Sequence, residues 1–174
     1  YGPDFILNKS RGASVGSNVI VQNNDTLGNI TWVGNDGTDS DSKAARIQGS
    51  VDGTPGSDDM PGRITFWTTP DGSTTLAERL RITSAGRIGI GTTNPSSRLH
   101  IFSNNPGIKL TDIDQAADNR HWNITAGNTQ LLRIQAQNDS YSGGGNLFDF
   151  YRSNSQVNEF RGMQGGNYWF VIDN

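Results

Sequence analysis

The chain has 174 residues, of which 32% are hydrophobic and 18% charged, with no cysteine, two histidines, a formal net charge of −3 and a mean hydropathy of −0.59. These values exclude disulfides and thiolate metal sites, and the scattered Lys and Arg exclude a phosphate-tracking nucleic-acid surface. No stretch approaches the roughly 20 apolar residues of a membrane-spanning helix. Aromatic residues make up 9% and recur inside alternating runs, which argues against disorder. So lean a chain has little core with which to offset its lost conformational entropy, and burial between identical chains is the expected remedy.

Short apolar alternations follow one another along the chain. In the first part they are Phe5-Ile6-Leu7, Ile30-Thr31-Trp32, Ile64-Thr65-Phe66, Leu80-Arg81-Ile82 and Ile88-Gly89-Ile90. The second part has Leu99-His100-Ile101, Ile108-Lys109-Leu110, Trp122-Asn123-Ile124, Leu132-Arg133-Ile134, Phe148-Asp149-Phe150 and Tyr168-Trp169-Phe170. A period of two puts one set of side chains on a buried face and the other in solvent. Turn formers separate the runs, among them Asn35-Asp36-Gly37, Asp52-Gly53, Pro61-Gly62, Pro70-Asp71-Gly72 and Gly143-Gly144-Gly145. No clean helical stripe exists; at most Thr75 to Arg81 makes one helical turn. The expected fold is all-β, with short antiparallel strands.

Two modules are expected, 1–102 and 103–174, the second a candidate divergent repeat of the first. Leu80-Arg81, Gly86, Ile88 and Ile90 match Phe160-Arg161, Gly166, Tyr168 and Phe170 at constant offset. Ile30 to Asp36 can be laid on Ile134 to Asp139, and Phe5 to Lys9 on Ile108 to Asp112. Any two alternating β segments align this way, so spacing alone admits either reading. The chain opens at Tyr1 rather than Met, which predicts a fragment or a processed product.

Val51-Asp52-Gly53-Thr54-Pro55-Gly56, Asp59-Met60-Pro61-Gly62-Arg63 and Thr68-Thr69-Pro70-Asp71-Gly72-Ser73 carry a specific signal. Glu78-Arg79-Leu80-Arg81-Ile82 continues it, followed by Gly86 to Pro95 and Arg98-Leu99-His100-Ile101. This stretch resembles a module of phage tail fibre proteins. The likeness is fair over Phe5 to Gly49 and weaker after Phe102. It implies an elongated homotrimeric β fibre, β-sandwich or β-prism-like, in a virion tail or otherwise extracellular, with itself and other fibre proteins as partners. Many such proteins end in a self-cleaving intramolecular chaperone domain, whose serine-lysine pair has no counterpart here. On this reading Leu80, Ile82, Ile88 and Ile90 face a symmetry axis, while Arg81 and Arg87 stay in solvent.

Chemistry-bearing constellations are few. Gly86 to Gly91 lacks the glycine spacing of a dinucleotide loop, and no helix follows. Asp36, Asp39 and Asp41 offer oxygens for Ca²⁺ but lack the bidentate Glu of an EF-hand, so a solvated acidic loop is the ordinary reading. Asp112, Asp114, Asp149 and Glu159 are carboxylates without an evident acid-base pairing. His100 and His121 form no ligand pair, and no nucleophile elbow occurs. No enzyme activity and no cofactor are therefore expected. Trp122, Tyr141, Tyr168 and Trp169 are the candidates for gripping a sugar ring, by flat apolar contact with nearby polar groups. The expected function is a shaft or connector of a fibre supporting host attachment. The alternative is a receptor-binding tip or adhesin module recognising a cell-surface polysaccharide.

Overall fold

A computed structural model shows an all-β chain dividing into two compact units, Tyr1–Ile101 and Phe102–Asn174. It describes residues 2–115, 121–127, 131–137, 146–153, 156–164 and 167–173, and beyond 137 the described side chains are those of 148–150, 161 and 162.

The first unit is one six-stranded sheet: β1 (Thr26–Gly34), β2 (Ser42–Val51), β3 (Gly62–Thr68), β4 (Ala77–Ile82), β5 (Ile88–Ile90) and β6 (Leu99–Ile101). The second is another: β7 (Gly107–Thr111), β8 (His121–Gly127), β9 (Leu131–Gln137), β10 (Asn146–Ser153), β11 (Gln156–Gln164) and β12 (Asn167–Asp173). In both sheets, strands adjacent in sequence are adjacent in space. All pairings are antiparallel except β5 with β6, which run parallel. That departure from the antiparallel expectation needs a crossover, and residues 91–98 make it without a helix. Both strands are only three residues long, so the chain has little distance to return. Gly91 turns the chain at φ 72, in the left-handed region open to glycine. Arg81 Nη1 donates to the Thr93 carbonyl (2.7 Å) and Arg87 Nη1 to the Pro95 carbonyl (3.1 Å), pinning the crossover down.

Three further expectations are corrected. Thr75 to Arg81 contains no helical turn; β4 begins at Ala77. Phe5-Ile6-Leu7 forms no strand. Instead Leu7 lies over Gly28, occupying the space that a side chain there would need. Arg81 is not solvated: its side chain is only 13% exposed. The physical reason is a bulge. Phe66 pairs with Leu80 and Trp67 with Glu78, leaving Arg79 without an opposite residue. Three positions apart, Glu78 and Arg81 would face opposite ways on a regular strand; the extra residue turns them to the same face. There Arg81 Nε and Nη2 donate to the two Glu78 oxygens at 2.6 and 2.8 Å.

Candidate interaction surfaces

Register builds one face of the first sheet. Ile30, Ile47, Phe66, Leu80, Ile90 and Ile101 are paired in succession across all six strands. Beside them run Gly28, Gly49, Ile64, Ile82, Ile88 and Leu99. The alternation thus becomes two parallel apolar rows. Leu80, Ile82, Ile88 and Ile90 are brought together within them, as two cross-strand pairs. Sequence reasoning singled out those four and passed over Ile30, Ile64, Phe66, Leu99 and Ile101, although each sat in a recognised alternation. Ile47 lay in a strand that had not been read at all.

These side chains are not covered within their own unit. Ile30, Ile64, Phe66, Ile82, Ile88, Ile90 and Leu99 retain 36–49% of their surface in solvent. Among the described residues the buried hydrophobics are only Val21, Val51 and Leu131. A sheet normally buries its apolar face, so one left this continuously exposed is a candidate interaction surface.

The reverse face of the first sheet is polar and largely closed on itself. Besides Glu78–Arg81, Arg63 Nη1 donates to Asp52 Oδ1 at 3.1 Å. Gln48 Nε2 donates to Thr26 Oγ1 (2.6 Å) and Trp67 Nε1 to Thr65 Oγ1 (2.8 Å). The Arg46 guanidinium stacks 4.7 Å from the Trp67 ring centroid, within cation–π range. Burial of the Asp52 carboxyl would raise its pKa, but the Ser84 N–H at 2.8 Å and the Arg63 guanidinium outweigh it and hold the pKa below the ordinary carboxylate value. At the sheet's rim the Arg11 guanidinium bonds both Asp25 oxygens, at 2.6 and 2.8 Å, and with the Gln22 N–H holds that carboxyl far below its usual range.

The second sheet repeats the division. Ile108, Ile124, Ile134, Phe148 and Gly162 are paired in succession. Leu110, Trp122 and Ala136 are paired beside them. Ile108, Leu110, Trp122, Ile124 and Leu132 are all more than a third exposed. Trp122 therefore belongs to an apolar face, beside Leu110, rather than to a polar cleft. The opposite face carries Asn123, Thr125, Arg133, Gln135 and Gln137, with Arg133 donating to buried Asp149 through Nε (2.9 Å) and Nη2 (3.2 Å). Asp149 is thus the acceptor of an ion pair. His121, also buried, lies with Nδ1 3.0 Å from the Thr111 hydroxyl.

The remaining candidates fare differently. Tyr141 lies outside the described residues, and on β12 only the backbone of Tyr168 and Trp169 is described. Trp169 is the residue in excess where Gly162 pairs with Phe170 and Met163 with Tyr168, so strict alternation breaks there. The Asp36 carboxylate is turned into its own loop, accepting from the Asp39 and Thr38 N–H groups and the Ser42 hydroxyl, which lowers its pKa. Asp39 Oδ1 accepts from the Asp41 N–H. Among the described residues no three His, Cys, Asp or Glu side chains are grouped to hold a metal ion, and no helix is long and apolar enough to cross a membrane. No protein-family model matches the chain, and no curated protein does.

Proposed function

We propose that the chain is a structural segment of a phage tail fibre or a related extracellular fibre, a shaft or connector that assembles as a homotrimer and supports attachment to a host. The observation that carries this reading is the pair of apolar rows on the first sheet, half exposed in a single chain. Six strands at about 4.8 Å spacing make each row about 24 Å long. The strip is narrow, however. On β5 and β6 only two apolar positions exist, about 7 Å apart. A two-sheet sandwich favours broad apolar faces. A narrow strip running across the strands suits three copies around one axis parallel to the rows. Covering the remaining surface of each Ile or Leu would contribute about 1 kcal/mol, so seven such side chains per chain suffice to favour assembly. The resemblance of Val51 to Ile101 to tail fibre modules supports the same reading.

Light scattering coupled to size exclusion tests it. The wild type should run at three times the chain mass of 18.8 kDa. Ile90→Asp and Ile64→Asp should yield folded single chains, because both side chains are already partly solvated and the added carboxylate is costly only when copies bury it. A stable, folded wild-type monomer at micromolar concentration would overturn the proposal.

A further inference from the structure

The polar face of the second sheet holds a cleft of about 340 Å³ between β8 and β9, which the fibre reading does not use. That volume lies within the range of small-ligand sites, roughly 300–1,000 Å³. Its walls are Asn123, Thr125, Arg133, Gln135 and Gln137, closed at one side by Asn105 from the segment before β7. Asn123 is paired across the strands with Gln135, and Thr125 with Arg133, so the carboxamides stand as a ladder.

Three properties define what such a cleft accepts. First, each carboxamide offers two donors and a two-lone-pair acceptor, and the side chains of Asn123, Gln135 and Gln137 spend none of these on another described residue. Gln137 Oε1 is buried without a hydrogen-bond partner and lies out of a ligand's reach, so the accessible amides are what the cleft offers. Second, the cleft's cation, Arg133, is already neutralised by Asp149 through two hydrogen bonds. An anion thus finds no unspent positive charge. Third, the named walls are polar, with Leu131 the only large apolar side chain among the described residues lining the cleft. A hydrophobic ligand would find little surface. What remains is a neutral molecule dense in hydroxyls, each able to donate to an amide oxygen and accept from an amide nitrogen.

We propose that this carboxamide cleft is a binding site for a neutral saccharide. Pairs of adjacent hydroxyls on a sugar ring match the donor-acceptor edge of a carboxamide, which Asn123 and Gln135 present side by side across the two strands. The aromatic Trp122 takes no part, because it stands on the opposite face of β8.

The test is a nitrogen-15 NMR titration of the full chain with maltohexaose, mannotetraose and chitotetraose, and with an oligogalacturonate as the acidic comparison. The side-chain NH₂ signals of Asn123, Gln135 and Gln137 should shift saturably with at least one neutral sugar, with a dissociation constant in the millimolar range, and the acidic sugar should bind no tighter. The double change Asn123→Ala/Gln135→Ala should weaken binding at least about tenfold, leaving the chain's mass in solution unchanged. Should that variant misfold, Gln135→Ala alone carries the comparison. Carboxamide signals that stay fixed with every neutral sugar would overturn the site. So would shifts confined to the Trp122 indole, or tighter binding of the acidic sugar. Self-assembly is read separately, from the mass, so either proposal can fail alone.

Discussion

The two sheets share one plan and differ in how they treat their polar faces. Each sets apolar residues on one side and polar ones on the other. In the first sheet most of the polar side chains pair with one another: Glu78 with Arg81, Asp52 with Arg63, Gln48 with Thr26, Trp67 with Thr65, while Arg46 stacks on Trp67 with its Nε unbonded. In the second, Arg133 and Asp149 pair, while the carboxamides beside them make no side-chain hydrogen bond to another described residue. The same alternating pattern thus yields a self-contained polar face in one case and a chemically available one in the other. The difference lies in partner choice. Ion pairs and hydroxyl-amide pairs close a face, whereas a ladder of amides leaves donors and acceptors unspent.

The sharpest way to break this contrast is Glu78→Ala. It leaves the Arg81 guanidinium, 13% exposed, without its carboxylate, and stranding a half-buried charge should cost about 3 kcal/mol in a denaturant titration. A loss under about 0.5 kcal/mol, the size of an ordinary surface change, would mean that the first polar face is not a structural network.

Acid should act on the first sheet next. Asp25, Asp36 and Asp52 all have folded-state pKa values held below their unfolded values. Their ionised forms therefore add stability above the ordinary carboxylate range. That stability is lost as the pH falls from about 4 towards the lower folded values. Melting temperature should be flat from neutral pH to about 5 and decline below it. An increase in stability on acidification below pH 4 would contradict the hydrogen bonding described for these carboxylates.

The smallest effect is expected on the other side of the comparison. Gln135→Ala in the unliganded protein should change stability by less than about 0.5 kcal/mol, because no side-chain hydrogen bond to another described residue is lost. A loss comparable to that of Glu78→Ala would make the carboxamide ladder a structural element and erase the distinction between the faces.

Much of the strand pattern was legible because aliphatic and aromatic residues mark alternate positions strongly, as in Ile64-Thr65-Phe66 and Leu80-Arg81-Ile82. β2 was not, since its apolar-face positions are Ala45, Ile47 and Gly49, and a single large residue among them makes no visible alternation. The apolar face was half legible: four of its residues could be named, but the rows needed the register. Glu78 and Arg81 sit at the spacing of a helical ion pair, a spacing that suits the helical turn expected over Thr75 to Arg81. Only the bulge at Arg79 explains how a strand holds the same pair. The carboxamide cleft was not legible either, because Asn and Gln at alternate positions look like any solvated face until their lack of partners is known.

That bulge also bears on how the sequence can drift. On a regular strand, gaining or losing one residue would exchange the faces of everything beyond it. At Arg79 the odd residue has no opposite number on β3, while Leu80 and Glu78 on either side keep their partners Phe66 and Trp67. Removing Arg79 would restore an even ladder and leave Glu78 beside Trp67. Relatives can therefore differ in length by one residue at this point and still present the same apolar rows. An alignment of such chains should place a single-residue gap there rather than shift β4 as a whole.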